Sequence, residues 1–146
     1  MKPKKLKSSY AVVGERTING YRQQDLQLKM QFLRDARAWL MAAAKPLLLE
    51  GWTLQTRSNP AGPAVSGDVY LDIKRAEKTN MLHITVTASL VRDGLFTRDR
   101  DGVCVYAQYQ SNDMRRAIIG ANTNIDPDLD SGQLEYTIRK MLKAMP

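Results

Sequence analysis

Residues 82–90 read LHITVTASL, in which Leu82, Ile84, Val86, Ala88 and Leu90 alternate strictly with His83, Thr85, Thr87 and Ser89. Successive side chains of a strand point to opposite faces, so this period of two predicts a strand with one face in a core and the other turned away from it. The pattern recurs on either side. Trp52, Leu54 and Thr56 alternate with Thr53, Gln55 and Arg57, and Val69, Leu71 and Ile73 with Tyr70, Asp72 and Lys74. Further on, Val103, Val105, Ala107 and Tyr109 alternate with Cys104, Tyr106 and Gln108. The stretches between these segments are rich in turn formers: SNPAGPAVSG at 58–67, AEKTN at 76–80, and the pairs Asp93-Gly94 and Asp101-Gly102. Four alternating segments joined in this way predict an antiparallel meander with one apolar and one polar face.

Outside the meander the period is that of a helix. From Asp25, read as an N-cap, Leu26, Met30, Leu33, Leu40, Ala44 and Leu47 form one stripe, with Phe32, Ala36, Trp39 and Ala43 beside it. So wide a stripe predicts a long helix, buried along most of its length, to about Glu50. Pro46 is expected to kink or restart it and Gly51 to end it. At the other end, Leu134, Ile138, Met141, Leu142 and Met145 mark an amphipathic helix beginning near Asp130 or Ser131, with Arg139, Lys140 and Lys143 in its later turns, where the helix dipole favours cations. Residues 112–119 suit a short helix or a fifth strand equally. The expected fold is α+β: a four-stranded antiparallel meander with the long N-terminal helix and the C-terminal helix packed on its apolar face as a two-layer sandwich.

Charge divides the 146 residues unevenly. Of the formal +7, residues 1–22 carry +5, from Lys2, Lys4, Lys5, Lys7, Arg16 and Arg22 against Glu15. Residues 1–9 have the composition of a flexible basic arm, and 10–146 suit one α+β domain. Asn19-Gly20 suggests a small hairpin before the first helix. A single cysteine, Cys104, forms no internal disulfide and with the single histidine, His83, offers no multi-cysteine zinc site, which points to a reducing, cytoplasmic setting. No apolar run reaches the roughly 20 residues of a membrane span, and no apolar h-region follows the basic start. No membrane association, cofactor or metal is expected.

The polar face of the sheet is the first candidate site, gathering Gln55, Arg57, Tyr70, Lys74, His83, Thr85, Thr87, Tyr106 and Gln108, with Asp72 as an anion among them. Tyrosines beside cations can stack bases and hold phosphates, and Lys4, Lys5 and Lys7 of the arm would add sequence-independent affinity for a polyanion. The same tyrosines and threonines suit any strand face and can equally pack against another protein or a second copy. Cys104 and His83 share the predicted face, so a thiolate–imidazole pair is conceivable, although no third orienting group is evident. Asp126, Asp128 and Asp130 resemble the opening of a calcium loop, but such a loop would need glycine where Ser131 stands and glutamate where Thr137 stands, so helix capping is the expected role. Leu95 and Phe96 are expected to anchor their charged loop. No phosphate-binding loop or catalytic set is present. The favoured reading is a non-enzymatic binding or assembly module for a protein partner or for itself. A single-stranded DNA- or RNA-binding protein using the polar face and the arm is the alternative.

Overall fold

Around Phe32, Ala36, Trp39, Leu40 and Ala43, all inaccessible to solvent, the expected long helix forms as α1, Gln23–Ala44. The computed structural model describes residues 3–6, 23–59, 66–89, 103–113 and 115–146. Asp25 lies inside α1, so it is not the cap, and Met30, expected on the buried stripe, is 54% exposed. At Lys45 the helix tightens into a 3-10 turn, Lys45–Glu50, with Pro46 in its first positions, where a missing N–H costs nothing. Gly51 then ends it at φ +90°, its N–H donating back to the carbonyls of Leu47 and Leu48. Burying Phe32, Leu40 and Leu47 contributes on the order of 1.5–3 kcal/mol each.

The sheet has five strands, not four: β1 (Thr53–Asn59), β2 (Ser66–Lys74), β3 (Asn80–Ser89), β4 (Val103–Ser111) and β5 (Ile118–Ile125). They lie in chain order, each antiparallel to the next. The undecided stretch after β4 therefore resolves into a turn followed by an edge strand. Between the pairs Ala107–Thr123 and Tyr109–Ile119 the register shifts, and Gly120, at φ +76°, takes up the extra length on β5 as a bulge. On the apolar face Ile73 pairs with Leu82, Leu71 with Ile84 and Val69 with Val86, while Val86 pairs onward with Val105 and Val105 with Ile125. All are buried against α1 and α2.

Helix α2, Ser131–Ala144, buries Leu134, Ile138 and Leu142 against the same face. Its start is a capping box: the Asp130 carboxylate accepts from the Gln133 N–H at 2.9 Å while the Gln133 side chain accepts from the Asp130 N–H at 2.9 Å. The exposed Asp126 carboxylate accepts from the Asp128 N–H, so the acidic run organises the approach to the helix. The Trp39 indole donates to the Leu129 carbonyl at 2.9 Å, and Arg139 grips Glu50 with two hydrogen bonds of 2.8 and 2.7 Å. These ties place the start of α2 beside Trp39, late in α1, and its third turn beside the 3-10 turn, so the helices run in the same direction. An odd number of antiparallel strands between them requires this, and the two-layer α+β sandwich holds.

Residues 3–6 belong to the expected flexible arm, yet they lie against α2. The Lys4 carbonyl accepts from the Ser131 N–H at 2.8 Å, the Ser131 hydroxyl accepts from the Lys4 N–H at 2.9 Å, and Leu6 packs on the core. Lys4 thereby satisfies one of the N–H groups that a helix start leaves open. Lys7, the Asn19-Gly20 hairpin and the Leu95-Phe96 loop lie outside the described residues. Replacing Asp130 by alanine removes half of the capping box. Chemical denaturation should show the variant less stable by about 1 kcal/mol, with Asp130→Asn, which keeps an acceptor, close to the parent.

Candidate functional site

The alternation that buries one face of the sheet necessarily presents the other. Two rows cross it side by side. Gln55, Asp72, His83 and Gln108 form one, and Arg57, Tyr70, Thr85, Tyr106 and Asn124 the next. Of the nine strand residues expected at the site, Gln55, Arg57, Tyr70, His83, Thr85, Tyr106 and Gln108 fall in these two rows, Thr87 pairs with Asp68 and Cys104 beside them, and Lys74 stands at the end of β2 on the same face. Lys4 and Lys5 are elsewhere: the backbone of Lys4 is bound to α2, so the sheet separates them from Tyr70 and Tyr106.

The centre of this face is not solvated as the alternation suggested. Asp72, His83, Thr85 and Thr87 are buried, at 1%, 7%, 2% and 3% exposure, although all four point away from the helices. Larger side chains on the flanking strands screen them. The Tyr70 ring stacks on His83 with centroids 5.5 Å apart, and the Arg57 guanidinium lies 5.0 Å from the Tyr70 centroid. Arg57 stands on β1 and His83 on β3, so the ring is flanked from both neighbouring strands. Its hydroxyl donates to Asp68 at 3.2 Å, and burial, followed by the Asp68 charge, pushes its pKa up.

Beneath these rings runs a chain of polar contacts. Arg116 Nη1 donates to Asp72 Oδ2 at 3.0 Å, His83 Nδ1 meets Asp72 Oδ1 at 2.6 Å, and His83 Nε2 meets the Thr85 hydroxyl at 3.0 Å. Asp72 accepts from the Nδ1–H, and Nε2 shares its contact with the Thr85 hydroxyl. Burial alone would push the Asp72 carboxyl up. The hydrogen bond and charge of His83, and then those of Arg116, outweigh it and hold the carboxyl below its usual range. Beside this chain, Gln110 donates to Gln108 at 3.1 Å and Gln108 to Asn122 at 2.6 Å, carrying the polar network to the β5 edge.

The order hydroxyl, imidazole, carboxylate is that of a nucleophile relay. Here the hydroxyl is sealed, and among the described residues Thr85 lines neither the cleft beside Cys104 nor the one beside Arg116. The conceivable Cys104–His83 pair is absent, because both ring nitrogens of His83 are engaged by Asp72 and Thr85, and Cys104 pairs across the strands with Thr87. Cys104 is half-buried in an open cleft of about 280 Å³ with Asn124, Asp126 and Pro127. Among the described residues, no three His, Cys, Asp or Glu side chains are grouped as a metal site requires. Thr87 Oγ1 is buried without a hydrogen-bond partner.

Sequence reasoning placed His83, Thr85 and Asp72 on one face but missed Arg116, which reaches them from the β4–β5 turn. The signal for the His83–Asp72 contact was available: both residues are polar positions of adjacent strands. Arg116 had none. Compared with known proteins, the chain matches no family model, no curated protein and no solved structure.

Replacing Asp72 by asparagine leaves Arg116 and His83 without their counter-charge and should lower stability at neutral pH by about 3 kcal/mol in denaturant titrations. Because the folded carboxyl titrates below its unfolded value of about 3.9, the stabilisation is complete above that pH and disappears as the pH falls through the folded value. The gap between the parent and Asp72→Asn should therefore close on acidification.

Proposed function

We propose that this chain is a non-enzymatic binding or assembly module that holds a protein partner, a second copy of itself in the first instance, on the outer face of its sheet. The observation that carries this reading is the internal pairing of that face. Its central charges and the Thr85 hydroxyl satisfy one another, so the surface they support is firm and nearly neutral, with Arg57, Tyr106, Gln108 and Asn124 offered around it. Tyrosine and arginine are the residue types that protein interfaces favour, and a preformed surface loses little side-chain entropy on binding. The β5 edge adds to it: Ile118–Ile125 contains no charged residue and no proline, and Ile118 is 58% exposed. Open edges of this composition pair readily with another strand. The sealed Thr85 hydroxyl supports a role without catalysis.

Single-stranded nucleic acid is the second reading, favoured by Tyr106, which has no ring or hydrogen-bond partner among the described residues and is half-exposed. Against it, the Tyr70 ring is flanked by Arg57 and His83, which leaves one free tyrosine where a stacking platform uses several.

Sedimentation velocity over a range of concentrations, alongside fluorescence-anisotropy titration of labelled single-stranded DNA and RNA, separates the two. A mass above that of the monomer is expected, falling to the monomer in the double variant Arg57→Ala/Tyr106→Ala, with no anisotropy change. A chain that stays monomeric throughout counts against self-association. Nucleic-acid binding that persists without residues 1–9 and weakens by about 1–3 kcal/mol in Tyr106→Ala would replace the proposal by the second reading.

A further inference from the structure

The turn between β4 and β5 is built at a conformational cost. Arg116 adopts φ +48°, a left-handed conformation that costs a non-glycine residue on the order of 1 kcal/mol. Asp113 holds it there. The Asp113 carboxylate accepts from the N–H groups of Arg115 at 2.8 Å and Arg116 at 3.3 Å and from the Ser111 hydroxyl at 2.9 Å, while Ser111 Oγ accepts from the Ala117 N–H. With its carboxylate so occupied, Asp113 has its pKa lowered, first by the Ser111 hydrogen bond and then by the Arg115 N–H.

This arrangement aims the Arg116 guanidinium across the sheet at Asp72, and the same guanidinium forms one wall of an open cleft of about 430 Å³. Lys74, Ser111, Asn112 and Asp113 form the rest. Neutralising Asp72 does not use up the group. Only Nη1 is bonded, so the other N–H groups of Arg116 have no acceptor among the described residues, and neither has the Lys74 ammonium. Two cations and one carboxylate thus line the cleft, with the Asp72 charge beneath it shared between Arg116 and His83.

We infer that the cleft between Lys74 and Arg116 is a binding site for a carboxylate. A guanidinium whose orientation is already set by a buried anion presents its free donors as a planar fork, which matches the two oxygens of a carboxylate, and Lys74 adds a point charge from β2. Asp113 on the lining repels a phosphate dianion more strongly than a carboxylate monoanion, which favours the monoanion. The site is independent of the outer-face interface proposed above. Its ligand is a free small acid or the acidic group of a polypeptide, and these share one chemistry.

Titration of the full chain with sodium acetate, followed by NMR of the Arg116 Nε–Hε group and the Ser111 and Asn112 amides, tests the site, with sodium chloride at equal ionic strength as reference. Saturable shifts are expected with acetate and not with chloride. Affinity should fall roughly tenfold in Lys74→Gln, the scale of one charge-assisted hydrogen bond, while the fold and the Asp72 pair remain. The peptide acetyl-Ala-Ala-Ala with a free C-terminus binding more tightly than acetate, with its C-terminal amide inactive, assigns the site to a chain-borne acid; equal affinity for acetate and peptide assigns it to a free small acid. Linear shifts, shifts shared with chloride, an unchanged titration in Lys74→Gln, or tighter binding of inorganic phosphate each overturn the proposal.

Discussion

A carboxylate at 1% exposure in the second strand of the sheet constrains much of what surrounds it. An ionised group taken out of water costs several kcal/mol unless charges and hydrogen bonds replace its hydration, and for Asp72 His83 and Arg116 do so. His83 must sit directly across from it, which requires the β2–β3 register that also aligns Leu71 with Ile84. Arg116 must come down from the β4–β5 turn, which requires the left-handed backbone that Asp113 braces. One charge therefore ties a register, a rotamer and a turn conformation together. A slip of one residue between β2 and β3 would bury the polar set and expose the apolar one, and it would also leave Asp72 without His83.

The apolar half of the fold was legible because burial writes a period into the chain. Leu82, Ile84 and Val86 could only be one face of a strand, and Phe32, Ala36, Trp39 and Ala43 only one face of a helix; each takes the position its period implies. The exception is β5. Its sequence, IIGANTNI, is poor in β-branched residues after the first two, and five of its eight positions in succession are exposed, so no alternation reports it. An edge strand needs a partner more than a pattern, and its Gly120 bulge breaks the remaining periodicity. Asp25 misled for a related reason. Short polar residues favour caps but occur inside helices too, and the stripe alone does not mark where the first turn begins.

The candidate face was legible as a set and not as a network. Alternation brought Arg57, Tyr70, His83, Thr85, Tyr106 and Gln108 to one side, but which of them touch depends on register, and register across a loop is not written in either strand alone. Arg116 lies 44 residues from Asp72 in the chain, and its contact depends on a backbone conformation that arginine rarely adopts. Lys4 and Lys5 were grouped with the sheet by charge, whereas the contact that places them, Lys4 with Ser131, is made by backbone atoms and a hydroxyl that carry no net charge.

The chain Thr85–His83–Asp72 has the order of a catalytic relay, but its surroundings close it off from solvent. A nucleophile must meet substrate, but the Thr85 hydroxyl is sealed, and the Tyr70 ring that stacks on His83 also covers the approach from β2. Here Tyr70 packs on one side, Asp72 holds Nδ1, and Asp72 is itself held by Arg116, so every member is fixed by the next. What that rigidity provides is a preformed floor beside Arg57, Tyr106 and Gln108. Because its last link, Arg116, is 39% exposed on its side chain and lines a cleft, the floor is joined at one end to a site open to solvent.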